Sequence, residues 1–93
     1  MKKVIKIGAE WCGPCKMLAP IFHKVEQMEE FKDVEFKSLD VEDDEAEDLA
    51  VKYQIRNVPT ILLFDENNEL ITKQVGAMPE PMFIQFLKEN LGK

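Results

Sequence analysis

The chain has 93 residues, 45% hydrophobic and 32% charged, which is typical of one small globular domain, and we expect a single domain spanning residues 1–93. The formal net charge of −6 argues against nucleic acid and anionic membrane surfaces as partners, since both attract basic proteins. No apolar run approaches the roughly 18 residues of a membrane span, and the apolar stretch near the start is too short for a signal peptide, so we expect a cytoplasmic protein.

The first half of the chain predicts two strands separated by a helix. Residues 3–7 are mostly apolar and β-branched, which favours a short buried strand. A helix is predicted to begin within residues 12–15 and to run to about Glu30, because apolar residues recur every three or four positions. These residues are Leu18, Phe22, Val25 and Met28. Pro20 should bend this helix, and residues 34–41 predict the second strand.

The second half predicts a helix, a pair of strands and a last helix. An apolar stripe in residues 46–53 indicates the second helix, which residues 57–59 end. The dense apolar run 60–64 predicts a central strand, and residues 70–75 predict its antiparallel partner because the connection is short. The last helix buries the following residues: Phe83, Phe86, Leu87 and Leu91.

The resulting order of elements is β-α-β-α-β-β-α, which places the chain in the α/β class. Helices that alternate with strands can cover both faces of one sheet, so we expect a four-stranded mixed sheet with helices on both faces. The first two strands should be parallel and joined by a right-handed crossover.

The chemistry of the chain is concentrated in Cys12-Gly13-Pro14-Cys15, which holds both of its cysteines. Cysteines this close together do not staple a fold and indicate a redox centre or a metal site. At a helix start, unpaired N–H groups and the helix dipole stabilise a thiolate, the reactive form. We expect Cys12 to be the outermost thiol and the nucleophile, and Cys15, one turn into the helix, to be the resolving thiol.

The residues around the two cysteines have predicted supporting roles. Pro14 limits backbone freedom between the sulfur atoms and suits an early helical position. Gly13 leaves room for a substrate chain, and Trp11 can shield the pair while its ring edge stays available to a partner. We therefore predict Trp11, Gly13 and Pro14 to be substrate-binding residues.

A metal site is the alternative interpretation of the cysteine pair. The pair supplies two ligands and His23 is the only histidine, whereas a closed zinc site usually has four ligands. We therefore expect neither a metal nor another cofactor. A metal shared between two copies of the chain stays open as an alternative.

An acidic stretch follows the second predicted strand. Acidic residues suit the positive end of a helix dipole, so a solvated helix start is the simplest interpretation. A recognition patch for a basic partner or a hard cation is the alternative, although the spacing of an EF-hand is missing. The residues are Asp40, Glu42, Asp43, Asp44, Glu45, Glu47 and Asp48.

Three segments together resemble the signatures of the thioredoxin family: residues 9–20, 53–60 and 75–77. The resemblance implies a thioredoxin fold and reduction of protein disulfides through a Cys12/Cys15 dithiol–disulfide cycle. It implies a cis bond between Val58 and Pro59 and a substrate groove completed by Gly76 and Ala77. It further implies regeneration by a thioredoxin-reductase-type flavoenzyme, and we expect the chain to be a monomer.

The chain departs from the family pattern at three points. It starts at what the family counts as the second strand, without the usual first strand and helix, which implies a smaller core. Lys6 replaces a buried Asp that helps to move the proton of the resolving thiol, so Lys6 is a candidate catalytic residue that points to the surface or pairs with an acid. Counting back from Tyr53 without gaps puts Asp40 at the position of the usual partner of that Asp, which would make a charge-swapped pair with Lys6. A two-residue insertion in the acidic stretch would put Ser38 at that position instead. Gly8 replaces an aromatic residue, which leaves the packing beside the disulfide undetermined.

Two other functions fit the same residues. A glutathione-coupled, glutaredoxin-like reductase is disfavoured by Gly13-Pro14, because that class more often has Pro-Tyr between its cysteines. A redox-independent binding module could use the groove around Trp11, Pro59 and Gly76, but the intact cysteine pair argues against it.

Overall fold

The computed structural model describes residues 1–93, and the predicted order of elements is confirmed. The elements are β1 (Lys2–Gly8), α1 (Gly13–Glu26), a 3₁₀ turn (Glu29–Phe31), β2 (Val34–Asp40), α2 (Asp44–Tyr53), β3 (Thr60–Phe64), β4 (Leu70–Val75) and α3 (Glu80–Leu91). None of the helices is both long enough and apolar enough to span a bilayer.

The four strands form one mixed sheet in the order β2-β1-β3-β4. β1 and β2 are parallel, as expected for strands joined by a helical crossover, with Lys6 opposite Ser38 and Gly8 opposite Asp40. β3 runs antiparallel to both β1 and β4. All five residues of β3 are buried, which is the pattern of a central strand covered on both faces.

The larger core lies between the sheet and two helices, α1 and α3. Apolar residues at helical spacing on each helix meet alternate residues of the strands, so one face of the sheet is closed by two amphipathic helices. This larger core comprises Val4, Leu18, Phe22, Val25, Phe31, Val34, Ile61, Leu63, Phe83, Leu87 and Leu91.

The smaller core lies on the opposite face, under α2 alone. Ala46 is the one fully buried residue of that helix. The remaining members are the strand residues that alternate with those of the larger core: Ile5, Ile7, Leu62 and Phe64. The predicted cover of helices on both faces is therefore confirmed.

The end of α1 differs from the prediction. The helix continues through Pro20 but ends at Glu26 rather than near Glu30, because Met28 has an extended backbone at φ −71° and ψ 139°. The chain then forms a 3₁₀ turn that buries Phe31 completely in the larger core. Met28 still packs against that core, although it is not part of the helix.

The other boundaries differ by a few residues. β1 is one residue longer at each end than predicted, and β2 ends at Asp40 rather than Val41. α2 ends at Tyr53, before the predicted stop at residues 57–59, because Gln54 takes the left-handed conformation with φ 56°. The Gln54 N–H donates to the Ala50 carbonyl and closes the last turn.

Candidate active site

The two cysteines lie where β1 ends and α1 begins. Cys12 is the N-cap of α1, and its Cα atom is 5.2 Å from that of Cys15, with the two residues joined by a disulfide. The backbone N–H of Cys15 donates to Cys12 Sγ over 3.2 Å. The sulfur of Cys12 therefore occupies the position in which an N-cap side chain accepts from an otherwise unpaired helix N–H.

Both cysteines are buried to almost the same extent. Cys12 is 6% exposed and Cys15 is 5% exposed, so exposure differs too little to identify the outermost thiol, and the role of Cys12 as nucleophile stays a prediction. Cys12 is covered because its Sγ lies 3.7 Å from the carbonyl oxygen of Val58, and Val58 packs against the small cluster that Ala9, Cys12 and Cys15 form. The loop after α2 therefore covers Cys12. This contact joins residues that are distant in the chain, so the spacing of the cysteines could not predict it.

The residues predicted to bind substrate surround Cys12 on the exposed side. Trp11 is 77% exposed, and Gly13 and Pro14 are also exposed. The bond between Val58 and Pro59 is cis, as the family resemblance implied. Val58 is half-buried and Pro59 is buried, so their backbone forms the wall next to Cys12.

Gly76 extends this wall. Its N–H donates to the Pro59 carbonyl over 2.8 Å, and its φ of 99° lies in the region that favours glycine. No atom comes within 4 Å of the position that a Cβ at Gly76 would take, so the surface there is open. Ala77 follows and is exposed. Together with Trp11, these residues leave a shallow surface beside Cys12 that an extended chain can reach.

Lys6 neither points to the surface nor pairs with an acid, which corrects the sequence-based expectation. It is only 8% exposed, and no carboxylate lies within 4.0 Å of its amine. The amine lies 5.4 Å from the centre of the Phe22 ring of α1. Burial lowers the pKa of Lys6 from its ordinary value, and the negative charge of Glu26 partly opposes that shift.

The hypothesis of a charge-swapped pair between Lys6 and Asp40 is wrong. Ser38, not Asp40, is the β2 residue opposite Lys6, because Asp40 lies two residues further along, opposite Gly8. Asp40 accepts a hydrogen bond from the N–H of Glu42 over 2.9 Å and so helps to form the turn into α2. The parallel register of β1 and β2 decides this point, and the alternative count, which gave Ser38, agrees with it.

Gly8 lies directly beneath Cys15. A Cβ at Gly8 would be 3.3 Å from both Cβ and Sγ of Cys15, which is closer than an ordinary contact. A pocket of about 400 Å³ borders this position, and we call it the Cys15 pocket. Its lining includes Lys6, Gly8, Cys15, Lys16, Ser38 and Asp40. Sequence reasoning identified Lys6 and Gly8 separately but not the pocket that they share.

The thioredoxin family model matches residues 1–89. The chain belongs to the thioredoxin family. It is a thiol–disulfide oxidoreductase that acts on protein disulfides, with Cys12 and Cys15 as its redox-active pair.

The relatives of this thioredoxin-family protein align along most of its length. It is 38% identical to thioredoxin of Mycoplasmoides gallisepticum, over 94% of this chain and 82% of that protein. It is 40% identical to thioredoxin of Pseudomonas aeruginosa, over 95% of this chain and 78% of that protein. The crystal structure of Malassezia sympodialis thioredoxin superposes with a TM-score of 0.80 at 34% identity, covering 96% of this chain and 74% of that one.

Acidic side chains border the redox centre of this thioredoxin-family protein. Glu10, Asp40, Glu42 and Asp43 line a depression of about 320 Å³ together with Trp11. Asp43 is the N-cap residue of α2, and its carboxylate accepts from the N–H of Asp40 over 2.8 Å. Acids at the start of α2 were expected, and the fold brings them beside Trp11.

Proposed function

We propose that Cys12 is the nucleophile and Cys15 the resolving thiol of a protein-disulfide reductase. The Cys12 thiolate attacks one sulfur of a substrate disulfide, a Cys12–substrate disulfide forms, and the first substrate thiolate leaves. The Cys15 thiolate then attacks Cys12 Sγ and releases the second substrate thiol. Two electrons pass from the protein to the substrate, and the Cys12–Cys15 disulfide remains.

The observation that carries this assignment is the hydrogen bond from the N–H of Cys15 to Cys12 Sγ, 3.2 Å long. A donor aimed at a sulfur stabilises the thiolate more than the thiol, because hydrogen bonds to charged acceptors are the stronger ones. The N-terminus of α1 adds its dipole at the same place. Both effects favour negative charge on Cys12 rather than Cys15.

The surface beside Cys12 fits an extended protein segment. The Val58 carbonyl lies 3.7 Å from Cys12 Sγ, and the open backbone of Gly76 continues the same surface. An extended substrate chain can pair with exposed backbone groups as an added strand does. Trp11, with 77% of its surface exposed, then offers an apolar contact next to the sulfur atoms.

Lys6 is proposed to tune the thiols rather than to touch the substrate. It shares the Cys15 pocket with the resolving cysteine, and a cation near a thiol favours the thiolate. Lys6→Met should therefore raise the thiol pKa values, while Lys16→Met, which removes an exposed charge at the same pocket, serves as the matched control. An unchanged thiol pKa in Lys6→Met would remove Lys6 from the mechanism.

The proposal extends to the setting in which the protein works. A Cys12–Cys15 disulfide must be reduced by two electrons after each turnover, and the family resemblance favours a thioredoxin-reductase-type flavoenzyme as the donor. The protein would then be an electron carrier in the cytoplasm that acts as a monomer and contributes to redox homeostasis. Turnover driven by NADPH and such a reductase, and sedimentation at the mass of one chain, are the results that we expect.

The decisive experiment is reduction of insulin disulfides driven by dithiothreitol. The unmodified protein should turn over rapidly, Cys12→Ser should fall to the uncatalysed rate, and Met17→Ser, an exposed site on α1, should match the parent. Cys15→Ser should accumulate a covalent insulin adduct, because the mixed disulfide is not resolved. If folded, reduced protein gives no turnover, the redox-independent binding module becomes the better interpretation.

A further inference from the structure

Strand β2 forms one edge of the sheet, and no other strand of the chain pairs with its outer side. Backbone N–H and C=O groups on that side are therefore available to another strand. We propose that the outer edge of β2 binds the same edge of a second copy of this chain in antiparallel orientation, which joins two four-stranded sheets into one. This interaction surface is separate from the redox chemistry.

The parallel ladder between β1 and β2 shows which backbone groups point outward. The Val41 N–H donates to the Gly8 carbonyl, so the odd-numbered residues of β2 direct their backbone groups toward β1 and the even-numbered residues direct theirs away. The outward groups of Asp40 are already used, because its N–H donates to the Asp43 carboxylate and its carbonyl accepts from the Asp43 N–H. The outward groups that remain belong to Val34, Phe36 and Ser38.

Charge and hydrogen bonding select one register for two copies of β2. With Phe36 opposite the Phe36 of the second copy, the outward groups of all three remaining residues are paired. Glu35 then lies opposite the second copy's Lys37 and Lys37 opposite its Glu35, so both charge pairs are attractive. A shift by two residues in either direction brings Glu35 opposite Glu35 or Lys37 opposite Lys37, which is repulsive. The register centred on Phe36 is therefore the favourable one.

The side chains of β2 suit this arrangement on both faces of the sheet. Phe36 is half-buried against the larger core, with its ring centre 5.5 Å from that of Phe22, so part of the ring stays available to the second copy. On the other face, Glu35 is exposed and forms no ion pair. Lys37 donates to Glu45 of α2 over 2.8 Å, which holds its ammonium group on the face where Glu35 of the second copy would lie.

The opposite edge of the sheet lacks these features. β4 pairs irregularly with β3 between Leu63 and Phe64, and such a bulge disturbs the further pairing of an edge strand. β2, in contrast, keeps one register with β1 along its whole length. Lys73 is the only charged residue of β4, so two copies of β4 offer no complementary charge pair.

The pairing should be weak and should leave the redox centre open. One pair of short strands forms an interface below the roughly 1,200 Å² of stable complexes, and two chains of net charge −6 repel each other. We expect a dissociation constant on the order of 100 μM, so the chain acts as a monomer in a dilute turnover assay. Val58, Pro59 and Gly76 flank β3 and β4, on the other side of β1 from β2, so the substrate surface stays free.

Sedimentation equilibrium over a concentration series tests the proposal on the unmodified protein. The apparent mass should rise from that of one chain, 10.8 kDa, toward twice that value as the concentration passes about 100 μM. Backbone amide signals of Phe36 and Ser38 in NMR spectra should shift over the same range, and those of β4 should not. A mass that stays at one chain up to about 1 mM, or shifts confined to β4, would overturn the proposal.

Glu35→Lys and Lys37→Glu test the register. In either variant alone both charge pairs of the symmetric dimer become repulsive, so self-association should weaken by about tenfold or more. An equimolar mixture of the two variants should associate about as well as the parent, because one copy then carries two cations and the other two anions at these positions. A mixture that stays monomeric would show that β2 does not pair in this register.

Glu69→Lys and Lys73→Glu are the matched controls. They make the same changes in charge at exposed positions beside and within β4, at the far edge of the sheet. Their self-association should equal that of the parent, and circular dichroism should show that all four variants are folded. A loss as large as that of the β2 variants would mean that net charge, and not the edge of β2, governs association, and the proposal would fail.

Discussion

The two faces of β1 differ in what they carry. Toward α2, β1 presents Ile5 and Ile7, both apolar and both 2% exposed. Toward α1 it presents Val4, Lys6 and Gly8, which pass from the larger core to a buried amine and then to the floor of the Cys15 pocket. One face of the strand therefore carries only apolar core residues, whereas the other passes from the larger core to the redox centre.

The difference teaches where a domain of this size can carry polar chemistry. The face under α1 and α3 has the larger core, and the aromatic rings of Phe22, Phe36 and Phe83 pack together there at centroid distances of 5.5 and 5.9 Å. That packing holds the middle of α1 against the sheet. The smaller core under α2 contains fewer buried residues.

Phe83→Ala should have the largest effect on stability, because it breaks the larger core. Phe83 is completely buried and its ring lies against that of Phe22, so we expect the free energy of unfolding to fall by about 3–5 kcal/mol. Urea denaturation measures this. Met82→Ala, at a neighbouring exposed position of α3, should stay within about 0.5 kcal/mol. A loss below about 1 kcal/mol for Phe83→Ala would show that the larger core does not dominate stability.

Ala46→Leu tests how tightly the smaller core is closed. Ala46 is 1% exposed and packs under α2, so three extra carbon atoms should cost about 1–3 kcal/mol through overpacking. Val51→Leu, on the exposed side of α2, is the matched control and should be close to neutral. Equal effects of the two changes in urea denaturation would mean that α2 can shift outward and that this core is loosely closed.

Lys6→Met should stabilise the protein at neutral pH by about 1 kcal/mol, because it replaces a lysine that is 8% exposed and has no acidic partner by an apolar residue. Burial lowers the pKa of Lys6 in the folded state below its ordinary value of 10.5, so the unfolded chain binds more protons between the two pKa values. The stability of the parent should therefore rise with pH in that window. The gain from Lys6→Met should be full below the folded pKa and shrink as pH rises toward 10.5.

Thermal denaturation of the parent and Lys6→Met across this pH range measures the effect. Lys16→Met removes an exposed lysine of α1 and controls for the change in net charge. A gain that stays constant with pH would show that burial of the ammonium group is not its cause.

The ion pair between Lys24 of α1 and Glu80 of α3 should have the smallest effect. The two side chains are 3.1 Å apart, but they are 70% and 34% exposed, so water screens their attraction. A double-mutant cycle with Lys24→Ala and Glu80→Ala should give a coupling free energy below about 0.5 kcal/mol. A coupling above about 1 kcal/mol would show that charge, and not only apolar packing, holds these helices together.

Much of the fold and part of the site follow from local patterns. The run 60–64 predicted a central strand, and β3 spans the same residues. The prediction succeeded because a strand buried on both faces needs an apolar residue at nearly every position. The end of α1 was predicted four residues too late, because Met28 keeps the helical spacing of apolar residues after the helix has ended. Periodicity records which residues are buried and not which backbone conformation buries them.

The sequence by itself determined the family, the order of the elements and the redox pair, because each depends on residues that are close together in the chain. Only the tertiary structure decided that Lys6 lies opposite Ser38 rather than Asp40, that Val58 covers Cys12 and that Gly8 and Cys15 line one pocket. These relations join strands, a loop and a helix that are distant in sequence. Strand register and packing determine these contacts. A register shift of two residues between β1 and β2, for example, would place Asp40 opposite Lys6.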